Sequence, residues 1–347
     1  MFFFVFVGSA WVLFRSWNNV PKALDEIFKE NGCQGLMTMY FGSSIRAIYI
    51  GELEMAREML QKRGKTFAWR IDPVSFGQPG LGRGVIFSSG RQWQRNRRFA
   101  LRTMRDFGMG KSSMVEDINR AAERLVVDID KLGEGVAFEP WRLIALAAAN
   151  VVGQITTGQE KFQDNDPVLN KMMSEIEIVK QDSLVNSLVF YLLPFLRFFK
   201  TPTLAKCYLA CVNAVQPALI KSYVSSEVSG LKKPQNFAQA YLAKQKDGDA
   251  IDFQSFIHTV GELFGAGFET VATSISWFLL FICLDETIQA KCHEEIDKVL
   301  GESLDSNSHK FNYVQAVLNE TQRKASIVPL AVYHSNLGNH AKVSGTD

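Results

Sequence analysis

The sequence predicts a mainly α-helical fold with a small β region near its start. An apolar stretch from Phe253 to Leu284 is far longer than a strand and has the length of a buried helix. Further segments of helical length are separated by glycine and proline. Only the region around residues 36–50 alternates as paired strands do. A chain of 347 residues can bury a sizeable core in one or two domains.

The first part of the chain is predicted to hold two helices around a hairpin. Lys22 to Asn31 and Glu52 to Lys62 have the pattern of helices, and each is followed by a glycine that can end it. Between them, Leu36 to Tyr40 and Ile45 to Ile50 flank a short glycine–serine turn, which predicts a hairpin. Ile71 to Gly84 is rich in proline and glycine and is predicted to be a loop.

The middle of the chain is predicted to be a series of helices. They run through Arg91 to Ala100, Ser112 to Leu132, Pro140 to Thr156 and Pro167 to Phe190. Prolines then interrupt the region that precedes the long apolar stretch, at Pro194, Pro202 and Pro217.

Charge and cysteine content exclude some classes of partner and site. The formal net charge of +2 gives no indication of a nucleic-acid partner. The five cysteines are an odd number and show neither a disulfide framework nor a C-x-x-C metal pair. Cys207 and Cys211 stand four residues apart, but a metal site would need further ligands, so we interpret them as two core thiols. No metal site is predicted from the residues.

The first 17 residues form an apolar segment that allows three interpretations. The run is shorter than the roughly 20 residues that span a bilayer. It fits the remnant of a membrane anchor with Arg15 and Trp17 at the interface, the core of a signal peptide, or an arbitrary start of the reading frame. We interpret residues 1–17 as a remnant anchor and residues 18–347 as the folded domain.

The centre of the long apolar stretch carries the main candidate site. Gly265 and Gly267 interrupt it, followed by Glu269 and Thr270. The Thr270 hydroxyl can reach the carbonyl of Ala266 and compete for that helical bond, which predicts a local gap in the helix. An acid and a hydroxyl at such a gap can pass protons to a bound molecule. The alternative is a buried helix whose small residues only let another helix pack closely.

Several segments, in order, resemble motifs of the cytochrome P450 family, the heme-thiolate monooxygenases. Ala266 to Thr270 is similar to the A-G-x-(D/E)-T motif of the family's distal helix. Trp93 to Arg97 resembles its W-x-x-x-R helix, and residues 106–111 resemble the segment that follows in microsomal vertebrate members. Glu320 to Arg323 resembles the E-x-x-R pair, and residues 327–335 resemble the next strand.

The resemblance is closest to family 2, the xenobiotic and fatty-acid group, and covers the chain from about Ala23 to its end. It implies a partial cytochrome P450 fold that binds heme iron, O₂ and a lipophilic substrate and takes electrons from the NADPH-dependent reductase. It also implies a place at the endoplasmic reticulum membrane. Glu269 and Thr270 are implied to assist proton delivery during oxygen activation.

The resemblance assigns further residues to the site. Cofactor-binding roles are implied for Trp93, Arg97, Ala266, Gly267, Thr270 and His334, with the tryptophan, the arginine and the histidine at the heme propionates. The candidate walls of the substrate cavity are Phe107, Phe264, Ala266 and Val328. Glu320 and Arg323 are implied to form a structural pair.

The many arginines around Trp93 allow two interpretations. Those that do not face the heme can attract the acidic surface of the reductase. They can also form a solvated basic face with one tryptophan packed inward. The same holds for the pair Glu320 and Arg323, since isolated pairs at this spacing are common on surfaces.

The sequence departs from the family in one respect. The cysteine loop F-x-x-G-x-R-x-C-x-G that supplies the axial thiolate is not found among these 347 residues. We therefore expect a chain truncated before that loop, inactive as written, and a parent gene that encodes the loop downstream. The alternative is a genuine short product without catalysis that binds at most a lipophilic molecule or a partner.

Overall fold

The computed structural model confirms a mainly helical molecule with one small sheet. It describes residues 9, 19–41, 45–70, 82–107, 112–158, 162, 166–181, 206–217, 234, 236–246, 251–302 and 311–336.

A helix and a hairpin form a small unit near the start. Helix α1 spans Val20–Glu30, and the Asn19 side chain caps it by accepting a hydrogen bond from the Lys22 N–H at 3.1 Å. Strands β1 (Leu36–Phe41) and β2 (Ile45–Ile50) are antiparallel. The apolar face of α1 packs on β1, so this unit has its own core. The helix and hairpin predicted here are confirmed to within two residues.

The next two helices differ from the prediction in detail. Helix α2 (Leu53–Arg57) continues as a π-helical turn over Glu58–Lys62, so the predicted helix exists but its last turn is wider. Helix α3 spans Gly90–Asp106. The predicted end at Ala100 was too early, because the buried stripe continues from Phe99 to Thr103.

Three long helices follow where the sequence predicts them. They are α4 (Ser112–Asp130), α5 (Pro140–Thr157) and α6 (Pro167–Gln181). Proline occupies the first turn of α5, and Gly158 ends the helix with a left-handed φ of 69°. The predicted continuation of α6 beyond residue 181 and most of the predicted loop 71–84 lie outside the described residues.

The last part of the described chain is helical as well. Residues 206–217 form α7, and the remaining helices are α8 (Phe237–Lys246), α9 (Phe253–Cys283), α10 (Glu286–Glu302) and α11 (Asn312–Ala325). The long apolar stretch is thus one helix, α9, and Asp252 caps it by accepting a hydrogen bond from the Ser255 N–H at 2.9 Å.

Helix α9 is the axis of the main core. In its first half, Phe256, Val260, Phe264 and Phe268 are fully buried. It packs along α5 and contacts α3, α10 and α11. Its second half is more open, with Leu280 46% exposed. Among the described residues, α9 is the one helix whose length and composition would also suit a membrane span, although its first half is buried inside the protein.

Candidate active site

The glycines of α9 pack against a neighbouring helix. A Cβ built on Gly261 would lie 2.8 Å from the Val212 Cα, and one on Gly265 would lie 2.7 Å from the Cys211 Sγ. Both neighbours belong to α7. These two glycines therefore let α7 approach α9 closely, as the helix-packing interpretation of the small residues proposed.

The next residues of α9 form a second, open side. Ala266 is exposed, and Thr270 lies one turn later on the same side, half-buried. The Thr270 Oγ1 donates a hydrogen bond to the Ala266 carbonyl oxygen at 2.7 Å, which confirms the predicted bond. The helix stays α-helical throughout, so the predicted gap is not a break in the helix. We call the side that carries Ala266 and Thr270 the open face.

Glu269 is oriented by a different set of hydrogen bonds. Its Oε1 accepts a hydrogen bond from the Thr273 hydroxyl at 2.9 Å. The Trp141 indole N–H of α5 donates to the same Thr273 oxygen at 3.2 Å. Glu269 and Thr270, the predicted proton pair, are neighbours in sequence but make separate hydrogen bonds. Glu269 is bonded to the Thr273 hydroxyl, and Thr270 is bonded to the Ala266 carbonyl oxygen.

Trp93 and Arg97 lie together on one face of α3, as predicted. The Arg97 guanidinium carbon is 5.5 Å from the centre of the Trp93 ring, within cation–π distance. Arg97 is exposed and Trp93 is half-buried. The arginines of α3 are all exposed, at positions Arg91, Arg95, Arg97, Arg98, Arg102 and Arg105.

His334 lies in a segment that is tied to the start of α3. Its Nδ1 is 2.7 Å from the Phe67 carbonyl oxygen. Burial lowers the pKa of His334. The Arg70 guanidinium donates a hydrogen bond to the Tyr333 carbonyl oxygen at 2.9 Å. The backbone N–H of Arg70 donates to the hydroxyl of Ser89, the residue directly before α3, at 2.9 Å. The structure therefore brings His334 to the same region as the helix that carries Trp93 and Arg97.

The predicted cavity residues are placed in different environments. Phe264 is fully buried in the main core, 5.4 Å from the Phe162 ring centre. The Phe107 ring packs against the Phe237 ring, with 6.0 Å between the ring centres. Val328 is exposed in the segment after α11. Of the predicted wall residues, Ala266 is the one that lies on the open face.

Glu320 and Arg323 form the predicted pair. Two hydrogen bonds of 2.7 and 2.6 Å join the guanidinium to both carboxylate oxygens. The hydrogen bond to Arg323 lowers the pKa of Glu320. Both side chains are at least half exposed, which makes this a surface pair in the described structure.

One buried group of the region was not predicted from the sequence. Glu262 lies on α9 one turn before Ala266, is 3% exposed and accepts hydrogen bonds from two backbone N–H groups. Tyr208 and His258 lie nearby, and the Tyr208 hydroxyl is 2.6 Å from His258 Nδ1. His258 is buried. The signal in the sequence was an acid inside an apolar helix, since carboxylates are almost never fully buried without partners.

Comparison with known proteins gives a consistent result. The chain matches the family model for Cytochrome P450 over residues 3–345. It is 30% identical to cytochrome P450 2K4 of Oncorhynchus mykiss over 90% of this chain and 63% of that protein. It is 30% identical to cytochrome P450 2C23 of Rattus norvegicus over 91% of this chain and 65% of the relative. For cytochrome P450 2C8 of Homo sapiens the identity is 28%, over 92% of this chain and 65% of the relative. The chain thus spans slightly less than two thirds of these family 2 proteins.

Proposed function

Because this chain belongs to the cytochrome P450 family, we propose that it functions in heme-dependent monooxygenation of lipophilic molecules and that α9 carries the distal side of the heme site. The observation that supports this most is the open face. There Ala266 is exposed beside Thr270, whose hydroxyl is held by the Ala266 carbonyl.

The residues present fit the distal side of a heme. Ala266 carries too little side chain to keep a flat ring away from the helix, whereas Gly267, also assigned to the cofactor by the resemblance, faces Val152 of α5. Arg97 and the indole N–H of Trp93 are donors suited to the heme carboxylates, and His334 is a third candidate from the segment tied to α3. When bound, heme supplies the iron at which this family activates O₂.

Thr270 and Glu269 are suited to handling protons at this face. The Thr270 hydroxyl donates its hydrogen to the Ala266 carbonyl, so its oxygen lone pairs remain available to accept a hydrogen bond. Glu269 is the next residue along the helix, and its carboxylate accepts a hydrogen bond from Thr273. We assign Thr270 the orienting role and Glu269 the proton-donating role.

Partners follow from the same proposal. The exposed arginines of α3 suit the acidic surface of an NADPH-dependent reductase. The substrate is a lipophilic xenobiotic or fatty acid, and the endoplasmic reticulum membrane is the proposed location.

A second candidate function is the binding of lipophilic molecules without catalysis. The second half of α9 favours it, because it exposes apolar side chains such as Val271 and Leu280, which offer a surface for such a ligand.

Hemin titration of the purified chain tests the proposed site. Replacing Arg97 by leucine should weaken hemin binding about tenfold or more, because a charge-assisted hydrogen bond contributes about 1.5–3 kcal/mol. Arg98→Leu is the matched control, since Arg98 is exposed on the same helix. Equal hemin affinity of the two variants would remove the argument for the propionate contact.

A further inference from the structure

A cavity of about 240 Å³ opens between α4 and α5. Its walls come from these two helices and from Phe162, rather than from α9. The two helices pack together, but small side chains line the cavity from both of them, Ala121 on α4 and Ala147 on α5, and so leave space between the helices. Its apolar lining consists of Ala121, Leu125, Leu143, Leu146, Ala147 and Phe162.

The inner wall of this cavity is fixed by hydrogen bonds. The Asn150 side chain accepts a hydrogen bond from the Phe162 N–H at 2.6 Å and donates to the Phe162 carbonyl at 3.3 Å and the Leu146 carbonyl at 3.1 Å. A Cβ on Gly153 would lie 2.8 Å from the Phe162 ring, so this glycine lets the ring lie against α5. Phe162 is 4% exposed and also contacts Phe264. The apolar wall is therefore held in place before a ligand arrives, which lowers the cost of binding.

The charged side chains of the lining give the cavity one uncompensated positive charge. They are Arg124, Asp128 and Lys131, all on α4. The Lys131 Nζ is 2.7 Å from the Asp128 Oδ1, so these two charges compensate each other. Among the residues that the structure describes, Arg124 has no ion-pair partner, and its side chain is exposed. Its guanidinium is thus available to an anion at the edge of the cavity.

The other charged residues of α4 do not reverse this sign. Asp117 is paired with Arg120, one turn before Arg124. At 100° per residue, three further acids fall on the side of the helix opposite to Ala121. These outward acids are Glu116, Glu123 and Asp130. An apolar interior with a guanidinium at its edge suits a molecule that has an apolar chain and one carboxylate.

The volume of the cavity limits this molecule to a small one. A water molecule takes up about 30 Å³ in the liquid, so 240 Å³ holds roughly eight to ten non-hydrogen atoms. Octanoate, a medium-chain fatty acid, is about this size. Because so few atoms are buried, the expected Kd is on the order of 1 mM.

We propose that the cavity between α4 and α5 is a binding site for a medium-chain carboxylate. The chain lies against Leu125, Leu146 and Phe162, and the carboxylate is held by the Arg124 guanidinium. This site is separate from the heme site proposed above and does not depend on it.

Methyl NMR of the purified 347-residue chain, titrated with octanoate, tests the site. The methyl groups of the cavity residues Leu125, Leu143 and Leu146 should shift and reach saturation with a Kd on the order of 1 mM. Those of Leu24, in the separate core of α1 and the hairpin, should not move. 1-Octanol is the matched uncharged molecule. It should shift the same cavity methyl groups with an affinity weaker by about threefold or more, because it lacks the charge that Arg124 recognises.

Three variants separate the contributions of charge and space. Arg124→Leu should weaken octanoate binding by about threefold to tenfold and leave octanol binding unchanged, because it removes only the partner of the carboxylate. Arg120→Leu is the matched control, since Arg120 is an exposed arginine one turn earlier on the same helix and is already paired with Asp117. It should bind octanoate as the wild type does. Ala147→Phe fills the cavity and should abolish the shifts caused by both molecules.

Two results would overturn the proposal: equal octanoate affinity in Arg124→Leu and Arg120→Leu, or leucine shifts that persist unchanged in a folded Ala147→Phe. If Ala147→Phe does not fold, the two arginine variants and the comparison with octanol decide alone. Equal affinity of the wild type for octanol and octanoate would also contradict the carboxylate assignment. The titration is read without heme, so its outcome is independent of the hemin titration that tests the proposed function.

Discussion

At the scale of single residues, a buried acid should make the stability of the protein depend on pH. Burial raises the pKa of Glu262, so the folded state holds a proton that the unfolded state has released. The stabilising contribution is therefore complete below the ordinary carboxyl pKa of 4.5 and is lost as pH rises to about 7. This displacement corresponds to about 3 kcal/mol in the free energy of unfolding.

Urea unfolding of the wild type and Glu262→Gln from pH 4 to 8 measures this contribution. The difference in the free energy of unfolding should change steadily in favour of the glutamine variant as pH rises from 4.5 to 7 and should then level off. Comparing the two proteins cancels the titration of the other carboxylates. A difference that is constant over this range would show that Glu262 titrates normally.

The contact between Gly84 and Glu262 leads to a second prediction at this scale. Gly84→Ala should destabilise the protein by about 1–3 kcal/mol, because the added methyl group overlaps the Glu262 carboxyl. In the Glu262→Ala background the same change should cost much less. A double-mutant cycle with a coupling below about 0.5 kcal/mol would show that the two residues do not crowd each other.

The residues of this cluster also show where sequence reasoning stops. The bond from Thr270 to Ala266 could be predicted because both residues belong to one helical turn. The partners of Glu262 could not, since Val85 and Ile86 are distant in sequence and only the fold brings them to α9. Likewise, Phe264 was predicted to line the cavity together with Ala266, but the rotation of α9 turns its ring into the core.

At the scale of elements, the packing of α9 on α7 depends on its glycines. Gly261→Ala should destabilise the protein by about 1–3 kcal/mol, because the nearest atom is the Val212 backbone, which cannot rotate away. Gly267→Ala should be neutral or stabilising, because its neighbour is a Val152 methyl group at 3.3 Å and alanine favours the helix by about 1 kcal/mol. Thermal unfolding of both variants checks this order, and the reverse order would contradict the packing described for α7 and α9.

Most helices could be predicted because their amphipathic stripes and flanking glycines or prolines are local signals. The end of α3 was misplaced because the sequence has no glycine or proline before Gly108 and only burial shows how far the stripe extends. Helix α8 was not predicted, because its ten residues are short and have little separation of polar and apolar sides. Its formation depends on packing, with Phe237 fully buried against Phe99.

At the scale of the whole molecule, heme binding and catalysis have different requirements, because catalysis in this family depends on a cysteine thiolate as the iron ligand. No cysteine of this polypeptide stands in the family's cysteine loop. We expect the 347-residue chain, loaded with hemin and reduced under CO, to give no absorption band of the thiolate type. We also expect no NADPH-supported oxygenation when reductase is added. A clear thiolate-type band would assign the ligand to one of the five cysteines and would contradict this expectation.

The central claim is that the open face of α9 at Ala266 is the surface on which heme lies. Hemin titration of Ala266→Phe, followed by absorbance, tests it most directly. Ala266 is exposed, so a phenylalanine there should leave the fold intact while blocking the approach of a flat ring. Ile275→Phe is the matched control, since Ile275 is also exposed but lies on the opposite side of α9. The account predicts that Ala266→Phe loses hemin binding by about tenfold or more while Ile275→Phe binds as the wild type does. Equal hemin affinity in all three proteins, each folded, would contradict it.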